Sequence, residues 1–280
     1  MLDALITVPL WYTALIAFGF GVIIGSFLNV VIYRFHTGKS LSGSSHCLSC
    51  QTDLRWYELF PLLSYLTLRG RCGTCSAAIP SRYFWVELVT GVLFMLVILM
   101  LSPWYWLFGA MIVSILIIVA VYDLYHMVIP NFFVGLLILL ALLTTALDYW
   151  LLPDVIRIMW QLLAGALSYG FFASLWYFSK GRWIGYGDAK LALPLGYIVG
   201  LTGTFSMIVL SFWIGTVISL GLILGGWLYR KRGQSALRFL TSPLTIKSEV
   251  PFAPFLIIAF LLVYLFGIDV LNLISYVLPA

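Results

Sequence analysis

The sequence has little charge. Asp, Glu, Lys and Arg make up 9% of the 280 residues, whereas about 25% is usual for a soluble domain. Hydrophobic residues account for 63% of the chain, and the mean hydropathy is +1.08. Because so few polar side chains cannot cover a soluble globule, the composition excludes a soluble nucleic-acid binder, a disordered chain and a secreted disulfide scaffold. It predicts an all-α polytopic membrane protein.

Long apolar runs fill most of the chain. A membrane-spanning helix needs roughly 20 mostly apolar residues, and eight stretches satisfy this requirement. They lie near residues 8–33, 84–102, 104–122, 129–151, 158–179, 189–206, 207–229 and 253–277. We therefore predict about eight transmembrane helices, and we interpret the first as a retained helix rather than a cleaved signal peptide.

Positive charge is unevenly distributed between the spans. It falls into three groups, namely Arg34, Lys39, Arg55, Arg69, Arg71 and Arg82, then Lys180, Arg182 and Lys190, then Arg230, Lys231, Arg232, Arg238 and Lys247. With eight spans, all three groups lie on one side of the membrane and only Arg157 lies on the other. Since positive loops stay in the cytoplasm, we expect this side to be cytoplasmic and both chain ends to lie outside.

Four cysteines occupy the one insert between spans that is long enough to form a small domain, residues 35–82. Cys47 and Cys50 form one Cys-x-x-Cys pair, and Cys72 and Cys75 form another. Two such pairs predict a tetrahedral zinc site of the ribbon kind, which is structural because no coordination position stays open. The alternatives are two disulfides, which a reducing cytoplasm disfavours, or four inert thiols. His46 is a further candidate ligand.

Two of the ten acidic residues lie at the ends of apolar spans. Asp123 ends one span and Asp188 begins another, at the same predicted cytoplasmic depth. Two facing carboxylates share a proton, so that one can act as a base toward water and the other as an acid toward a peptide carbonyl. The alternatives are an N-terminal cap for Asp188, a solvated helix end for Asp123, and the coupling pair of a proton- or cation-coupled transporter.

Several short motifs accompany these residues in a fixed order. They are residues 25–34 (GSFLNVVIYR), 61–66 (PLLSYL), 68–72 (LRGRC), 86–88 (VEL), 129–131 (IPN) after Asp123, 185–190 (GYGDAK) and 251–255 (PFAPF). Over nearly its whole length the chain resembles the bacterial type IV prepilin peptidases. These are bifunctional leader peptidase/N-methyltransferases of type IV pilus and type II secretion systems, with the Gly-x-Gly-Asp motif of intramembrane aspartyl proteases.

The resemblance implies a function. The chain would cleave the leader of prepilins or pseudopilins after a glycine, with Asp123 and Asp188 as catalytic residues. It would then N-methylate the new N-terminus with S-adenosylmethionine. We expect a first transmembrane helix at 1–34, a methyltransferase-associated zinc insert at 35–82 and a peptidase core at 83–280. The expected location is the bacterial inner membrane, with the insert and active site facing the cytoplasm and no nucleic-acid partner.

Some features depart from the family pattern or fit no motif. Leu48, the segment 58–60 (ELF) and Ala253 differ from the family's usual residues. No glycine-rich nucleotide fingerprint marks a cofactor site. Asn29, Arg34 and Glu87 are polar residues near the insert, and we expect helix packing from them rather than cofactor binding. Ala17, Gly21 and Gly25 recur every four residues and predict close helix packing. A zinc-bearing assembly protein with structural aspartates is a further alternative.

Overall fold

A computed structural model describes residues 9–35, 37, 40, 43, 45–231 and 250–272, with the backbone alone for 226–231. Its α-helices are α1 (Leu10–Arg34), α2 (Leu63–Thr67), α3 (Arg82–Met100), α4 (Trp106–His126), α5 (Asn131–Leu151), α6 (Val155–Ser179), α7 (Tyr186–Lys231) and α8 (Ala253–Phe266). In this part of the chain, six helical stretches are long and apolar enough to cross a membrane. The predicted all-α polytopic class is confirmed, and the count of eight spans stays a prediction.

Some sequence expectations fall on residues outside the described ranges. These are the first eight residues of the chain, Lys39, the basic residues Arg232, Arg238 and Lys247 of the third positive group, and the last five positions of the predicted span 253–277. The chain divides into two compact units, residues 1–121 and 122–280. The three regions expected from the sequence, with boundaries at residues 34 and 82, stay a prediction.

Helix α7 covers two of the predicted spans, and the boundary between them is not where we predicted it. The non-helical residue is Gly200 (φ 73°, ψ −174°), not a residue near 206. The Thr204 hydroxyl donates to the Gly196 carbonyl at 3.1 Å, eight residues back. In a straight helix these residues lie about 12 Å apart along the axis, so the chain bends sharply here. Only glycine adopts this backbone conformation readily. The predicted boundary relied on charged loops between spans, and no charged residue marks this bend.

The last predicted span also needs correction, because α8 ends at Phe266 rather than near 277. Gly267 follows in the left-handed conformation (φ 63°), and its N–H donates to the Val263 carbonyl. Asp269 then accepts the Leu271 N–H at 2.9 Å, as a residue that caps a new helix does. A left-handed glycine and a capping aspartate terminate a helix despite continuing apolar sequence.

Within the first unit, α1 packs closely on α3. A Cβ on Gly21 would lie 2.7 Å from the Phe94 Cβ, and one on Gly25 would lie 2.8 Å from the Glu87 Cα. The predicted close packing is therefore confirmed at both glycines. Small residues let helix backbones approach in this way in membranes, where burial of apolar surface from water contributes little.

Within the second unit, three aromatic rings join α6, α7 and the start of α8. The ring centroids of Phe172 and Phe212 are 6.2 Å apart, and Phe252 lies 5.6 Å and 5.3 Å from them. Such ring pairs add to the stability gained from packing. Phe252 immediately precedes α8, so this cluster fixes the position at which α8 begins.

The turn between α5 and α6 carries the one basic residue predicted on the outer side. Arg157 pairs with Asp148 at 3.2 Å. Asp154 caps α6 by accepting the N–H groups of Ile156 and Arg157 at 3.0 and 3.2 Å. The acidic residues of this turn therefore have local structural roles.

Candidate active site and metal centre

The four cysteines of the insert come together. The Sγ atoms of Cys47, Cys50, Cys72 and Cys75 all lie within 4.8 Å of one another, and those of Cys47 and Cys75 are 3.8 Å apart. A tetrahedral zinc ion with Zn–S bonds of about 2.3 Å places its sulfurs about 3.8 Å apart. The thiols therefore fit a metal ion with little rearrangement. Among the described residues, this cluster is formed by cysteines alone, without His46.

The two Cys-x-x-Cys segments have the same local fold. The residue after each pair, Gln51 and Ser76, has a positive φ of 59° and 58°. Each N–H donates back to the carbonyl of the first cysteine of its pair, at 2.9 Å and 3.0 Å. Isolated β-bridges then close each segment, His46 with Asp53 and Arg71 with Ala78. His46 thus takes part in a bridge at the edge of the cluster.

Hydrogen bonds lower the pKa of two of these thiols, which favours their thiolate forms. The side chain and then the backbone N–H of Thr52 lower the pKa of Cys50 to about 6. The backbone N–H groups of Cys75 and Thr74 lower the pKa of Cys72. Because the thiolate is the form that binds metal, these bonds favour coordination, and a divalent cation would offset the mutual repulsion of the thiolates.

Asp188 is buried in the first turn of α7. Its side chain is 6% exposed, and its Oδ2 accepts the Gly185 N–H at 3.1 Å, while its own N–H donates to the Gly185 carbonyl. A carboxylate at the third position of a helix can bond back to the N–H of the residue before the helix. Asp188 is thus not the N-cap of the alternative interpretation, because it is the third residue of α7 and bonds back to Gly185 before the helix, and its burial sets it apart from an ordinary surface residue.

Asp123 is buried near the end of α4, with 5% of its surface exposed. The solvated-end alternative is therefore wrong. The Ala253 N–H, at the start of α8, donates to its carboxylate. Its Oδ2 receives no hydrogen bond from the residues that the structure describes. An unpartnered buried acceptor is costly, and a water molecule is the natural partner for it.

The start of α7 meets the segment that follows α4, which brings the two aspartates together. A Cβ on Gly187 would lie 3.2 Å from the Ile129 Cβ. The Lys190 Nζ donates to the Asn131 Oδ1 at 3.0 Å. Asp188 is close enough to Asp123 to interact with it electrostatically. The two carboxylates therefore lie within electrostatic range of each other, and their convergence on one water molecule stays a prediction.

An apolar groove of about 620 Å³ lies within the second unit, and neither aspartate lines it. Two of its lining residues adjoin the aspartates' hydrogen-bond donors in sequence, Ile184 next to Gly185 and Phe252 next to Ala253. Phe171, Phe212 and Phe255 extend its apolar wall. The groove therefore suits an apolar segment, and it lies close in sequence to the residues that hold the two aspartates.

Sequence reasoning missed two contacts that shape these sites. The Ala253 N–H is one, and its signal was the motif at 251–255, because proline favours a helix start and the first N–H groups of a helix have no partner within it. The other is a bond from the Leu62 N–H in the insert to the Glu87 Oε2 in α3, at 2.8 Å. The 86–88 motif marked Glu87 only as a residue at a helix entry.

Comparisons with known proteins agree with this geometry. Residues 20–101 match the Bacterial Peptidase A24 N-terminal domain, and residues 110–220 match the Type IV leader peptidase family. Proteins named prepilin leader peptidase/N-methyltransferase match too. The one from Bacillus subtilis is 33% identical over 92% of this chain and 96% of its own length. The one from Aeromonas salmonicida is 29% identical over 92% of both chains.

A relative of the same name from Neisseria gonorrhoeae is 30% identical over 71% of this chain and 79% of its own length. No solved structure matches this chain. The matched families are peptidase families, so the transporter alternative gains no support from them. With its apolar helices, its four-cysteine cluster and its two buried aspartates, this multi-pass membrane protein belongs to the type IV prepilin leader peptidase family.

Proposed function

We propose that this chain cleaves the leader peptide from prepilins or pseudopilins and then methylates the new N-terminus. The observation that carries the peptidase assignment is the pair of buried carboxylates, Asp123 and Asp188, each held by a backbone N–H. Family membership supports both activities. The substrate enters laterally, with its apolar helix in lipid and its basic leader in the cytoplasm.

The two aspartates act as an aspartic protease pair. One carboxylate takes a proton from a water molecule held between them, and the other, protonated, donates a hydrogen bond to the scissile carbonyl. The bonds from Ala253 and Gly185 orient one side of each carboxylate, which leaves the facing oxygens for water and substrate. The amide nitrogen leaves with a proton from the same pair.

The apolar groove of the second unit receives the substrate's hydrophobic segment. Its lining is mostly aromatic and aliphatic, so a helix that already lies in lipid loses little by entering it. The glycine before the scissile bond lets the backbone pass close to Asp188, because glycine has no side chain to obstruct an extended approach. With the hydrophobic segment in the groove and the leader in the cytoplasm, the cleavage point lies at the membrane surface.

The insert serves the second activity. Cys47, Cys50, Cys72 and Cys75 hold a structural zinc ion, which when bound stabilises the fold of the insert. S-adenosylmethionine supplies the methyl group. We assign residues 35–82 to methyl transfer and residues 83–280 to peptide cleavage, and we place both on the cytoplasmic side of the inner membrane, where the positive groups of the chain accumulate.

Cleavage of a prepilin-like peptide by the detergent-solubilised chain tests the aspartate pair. Asp123→Asn and Asp188→Asn should each lower the cleavage rate by about 10³-fold or more. Asp148→Asn is the matched control, since Asp148 pairs with Arg157 in the α5–α6 turn, and its cleavage rate should stay within about twofold of wild type. Thermal unfolding verifies that each variant is folded. Wild-type rates in either of the first two variants would refute the pair.

A further inference from the structure

Three carboxylates are buried among the described residues, and the proposed peptidase uses only two of them. The third is Glu87 in α3, which is 8% exposed. A buried carboxylate is costly unless it is compensated. The groups that donate to it, the Leu62 N–H and the Ser26 hydroxyl, are both neutral. They can fix its position but cannot balance a negative charge.

Glu87 lines a cavity of about 150 Å³ within the first unit. The cavity lies among α1, α3 and the insert, and it extends to Cys72 of the cysteine cluster. Pockets for drug-sized ligands measure about 300–1,000 Å³. This cavity therefore accommodates one end of a larger molecule or a small group, and it is too small for a whole nucleoside derivative.

A second polar group in the cavity also lacks compensation. Asn29 is 3% exposed and donates through Nδ2 to the Tyr83 carbonyl at 3.1 Å. Its Oδ1 receives no hydrogen bond from the described part of the chain. Asn29 and Glu87 thus present acceptors to the same enclosed space, and a ligand that complements them must carry donors or positive charge.

Aromatic rings complete the wall. Tyr65 and Phe84 line the cavity with ring centroids 5.4 Å apart. Tyr83 lines it as well, and the Arg82 guanidinium lies 5.1 Å from its ring centroid. Aromatic faces attract organic cations, most strongly where water is excluded. A buried carboxylate flanked by aromatic rings is the chemistry that recognises ammonium and sulfonium groups.

The bond between Glu87 and Leu62 has a structural role of its own. Leu62 has φ 59° and ψ −50°, a conformation costly for a leucine. Glu87 holds the N–H of this strained residue, and so it ties the insert to α3. A glutamine at position 87 would serve this role equally well through its amide oxygen. The structural role therefore explains an acceptor at position 87, but it does not explain why that acceptor is a carboxylate rather than an amide.

We propose that this cavity binds the positively charged end of a methyl-transfer reactant. The ligand class is a small organic cation, either the methylsulfonium end of S-adenosylmethionine or the primary ammonium of the cleaved pilin. Glu87 supplies the negative charge, Asn29 accepts a hydrogen bond, and Tyr65 and Phe84 contact the apolar part. This inference rests on the proposed methyltransferase function, because that reaction brings both cations to the chain.

Binding to matched charged and neutral ligands tests the proposal without any measurement of turnover. One pair is S-adenosylmethionine against S-adenosylhomocysteine, whose sulfur is neutral. The other is a peptide with a free N-terminal phenylalanine against the same peptide acetylated. The full chain in detergent should bind the charged member of at least one pair about tenfold or more tightly, and that pair identifies the occupant. Equal affinities within both pairs would overturn the proposal.

The Glu87→Gln variant tests whether the preference for the charged ligand arises from Glu87 in this cavity. It keeps the acceptor for the Leu62 N–H and removes the charge, so the preference for the charged ligand should disappear while the affinity for the neutral ligand stays unchanged. Asp148→Asn, an equal change in charge elsewhere, should keep the preference. A Glu87→Gln variant that still prefers the charged ligand would overturn the assignment to this cavity.

Further measurements distinguish a failure of this proposal from a loss of fold and from a failure of the proposed methyltransferase activity. Metal content and the thermal unfolding temperature of Glu87→Gln should match those of wild type, which verifies an intact fold. If Glu87→Gln loses its metal, Glu87→Asp is the variant to test, because it retains the negative charge. Glu87→Asp should keep the preference for the charged ligand. A loss of that preference would contradict the proposal. A wild-type chain that prefers the charged ligand but never methylates would contradict the proposed second activity alone.

Discussion

The aspartate site and the cysteine insert are held together by different interactions. The carboxylates of Asp123 and Asp188 are positioned by packed helices and by backbone N–H groups at helix starts. The described residues of the insert form one five-residue helix, a single turn of 3₁₀ helix and two isolated β-bridges around its thiols. We therefore expect helix packing to preserve the first site on its own and the second site to depend on a bound ion.

The most drastic way to separate the two regions is to remove one carboxylate. We expect Asp188→Asn to lower cleavage by about 10³-fold or more and to leave methylation of a precleaved peptide within about twofold of wild type. The physical reason is that the Asn side chain still accepts the Gly185 N–H but cannot accept a proton from water. Radiolabelled methyl transfer to a peptide that begins with phenylalanine measures the second activity.

Loss of both activities in that variant would show that the two regions are a single site. Asp148→Asn controls for the removal of an acid near the α5–α6 turn, and its two rates should both remain close to those of wild type.

Metal removal should have the converse effect. Chelation, or Cys72→Ser, should remove about one zinc per chain and abolish methylation, because metal binding contributes much of the folding free energy of so small a domain. Cleavage should stay within about threefold of wild type. Metal analysis and the two activity assays measure this outcome.

Re-addition of zinc after chelation should restore methylation, but it should not rescue Cys72→Ser. A wild-type chain that carries less than about one zinc and still methylates would contradict the metal-dependent insert.

The bend in α7 offers a smaller perturbation, confined to the aspartate region. Gly200→Ala should destabilise the chain by about 1–3 kcal/mol, because alanine is strained at φ 73° and ψ −174°. Thermal unfolding in detergent, followed by circular dichroism, measures the loss. Metal content should not change.

Gly135→Ala is the matched control, since no atom lies within 4 Å of the Cβ it would add. In the interior of α5 it should be neutral or stabilising by up to about 1 kcal/mol. Equal stability of the two variants would contradict the strained conformation at Gly200.

The smallest expected effect concerns the hydrogen bond across that bend. Thr204→Val should cost about 1 kcal/mol, because it removes the donor to the Gly196 carbonyl and leaves the shape of the side chain nearly unchanged. Thr144→Val removes a hydroxyl that donates to Ala141 within an unbroken stretch of α5, and it should cost less. The difference in melting temperature between the two variants measures how much the hydrogen bond across the bend stabilises the chain.

The sequence predicted the parts of this structure that depend on composition and short motifs. Low charge and long apolar runs sufficed for the membrane class. The Cys-x-x-Cys spacing predicted a cluster that the structure contains, because each pair forms its own turn. The nearness of Asp123 and Asp188 followed from their equal depth in the predicted topology. Their catalytic role and the identity of the metal stay predictions.

Other features depended on contacts that no short pattern reveals. The break at Gly200 and the end of α8 at Phe266 fall inside apolar sequence, where hydropathy does not change. The bond from Leu62 to Glu87 joins residues 25 positions apart through a strained turn. Glu87 was expected to take part in helix packing, and its position in a cavity with Asn29 could be seen only in three dimensions.

The hydrogen bond from Ala253 to Asp123 has a consequence for the evolution and engineering of such chains. It makes the first turn of α8 a part of the proposed catalytic site. A shortened chain that stopped after α7 would keep both acids and the Gly-x-Gly-Asp motif, yet it would lose the donor that orients one of them. Minimal versions of this peptidase must therefore retain their last long helix, although that helix contributes no acid of its own.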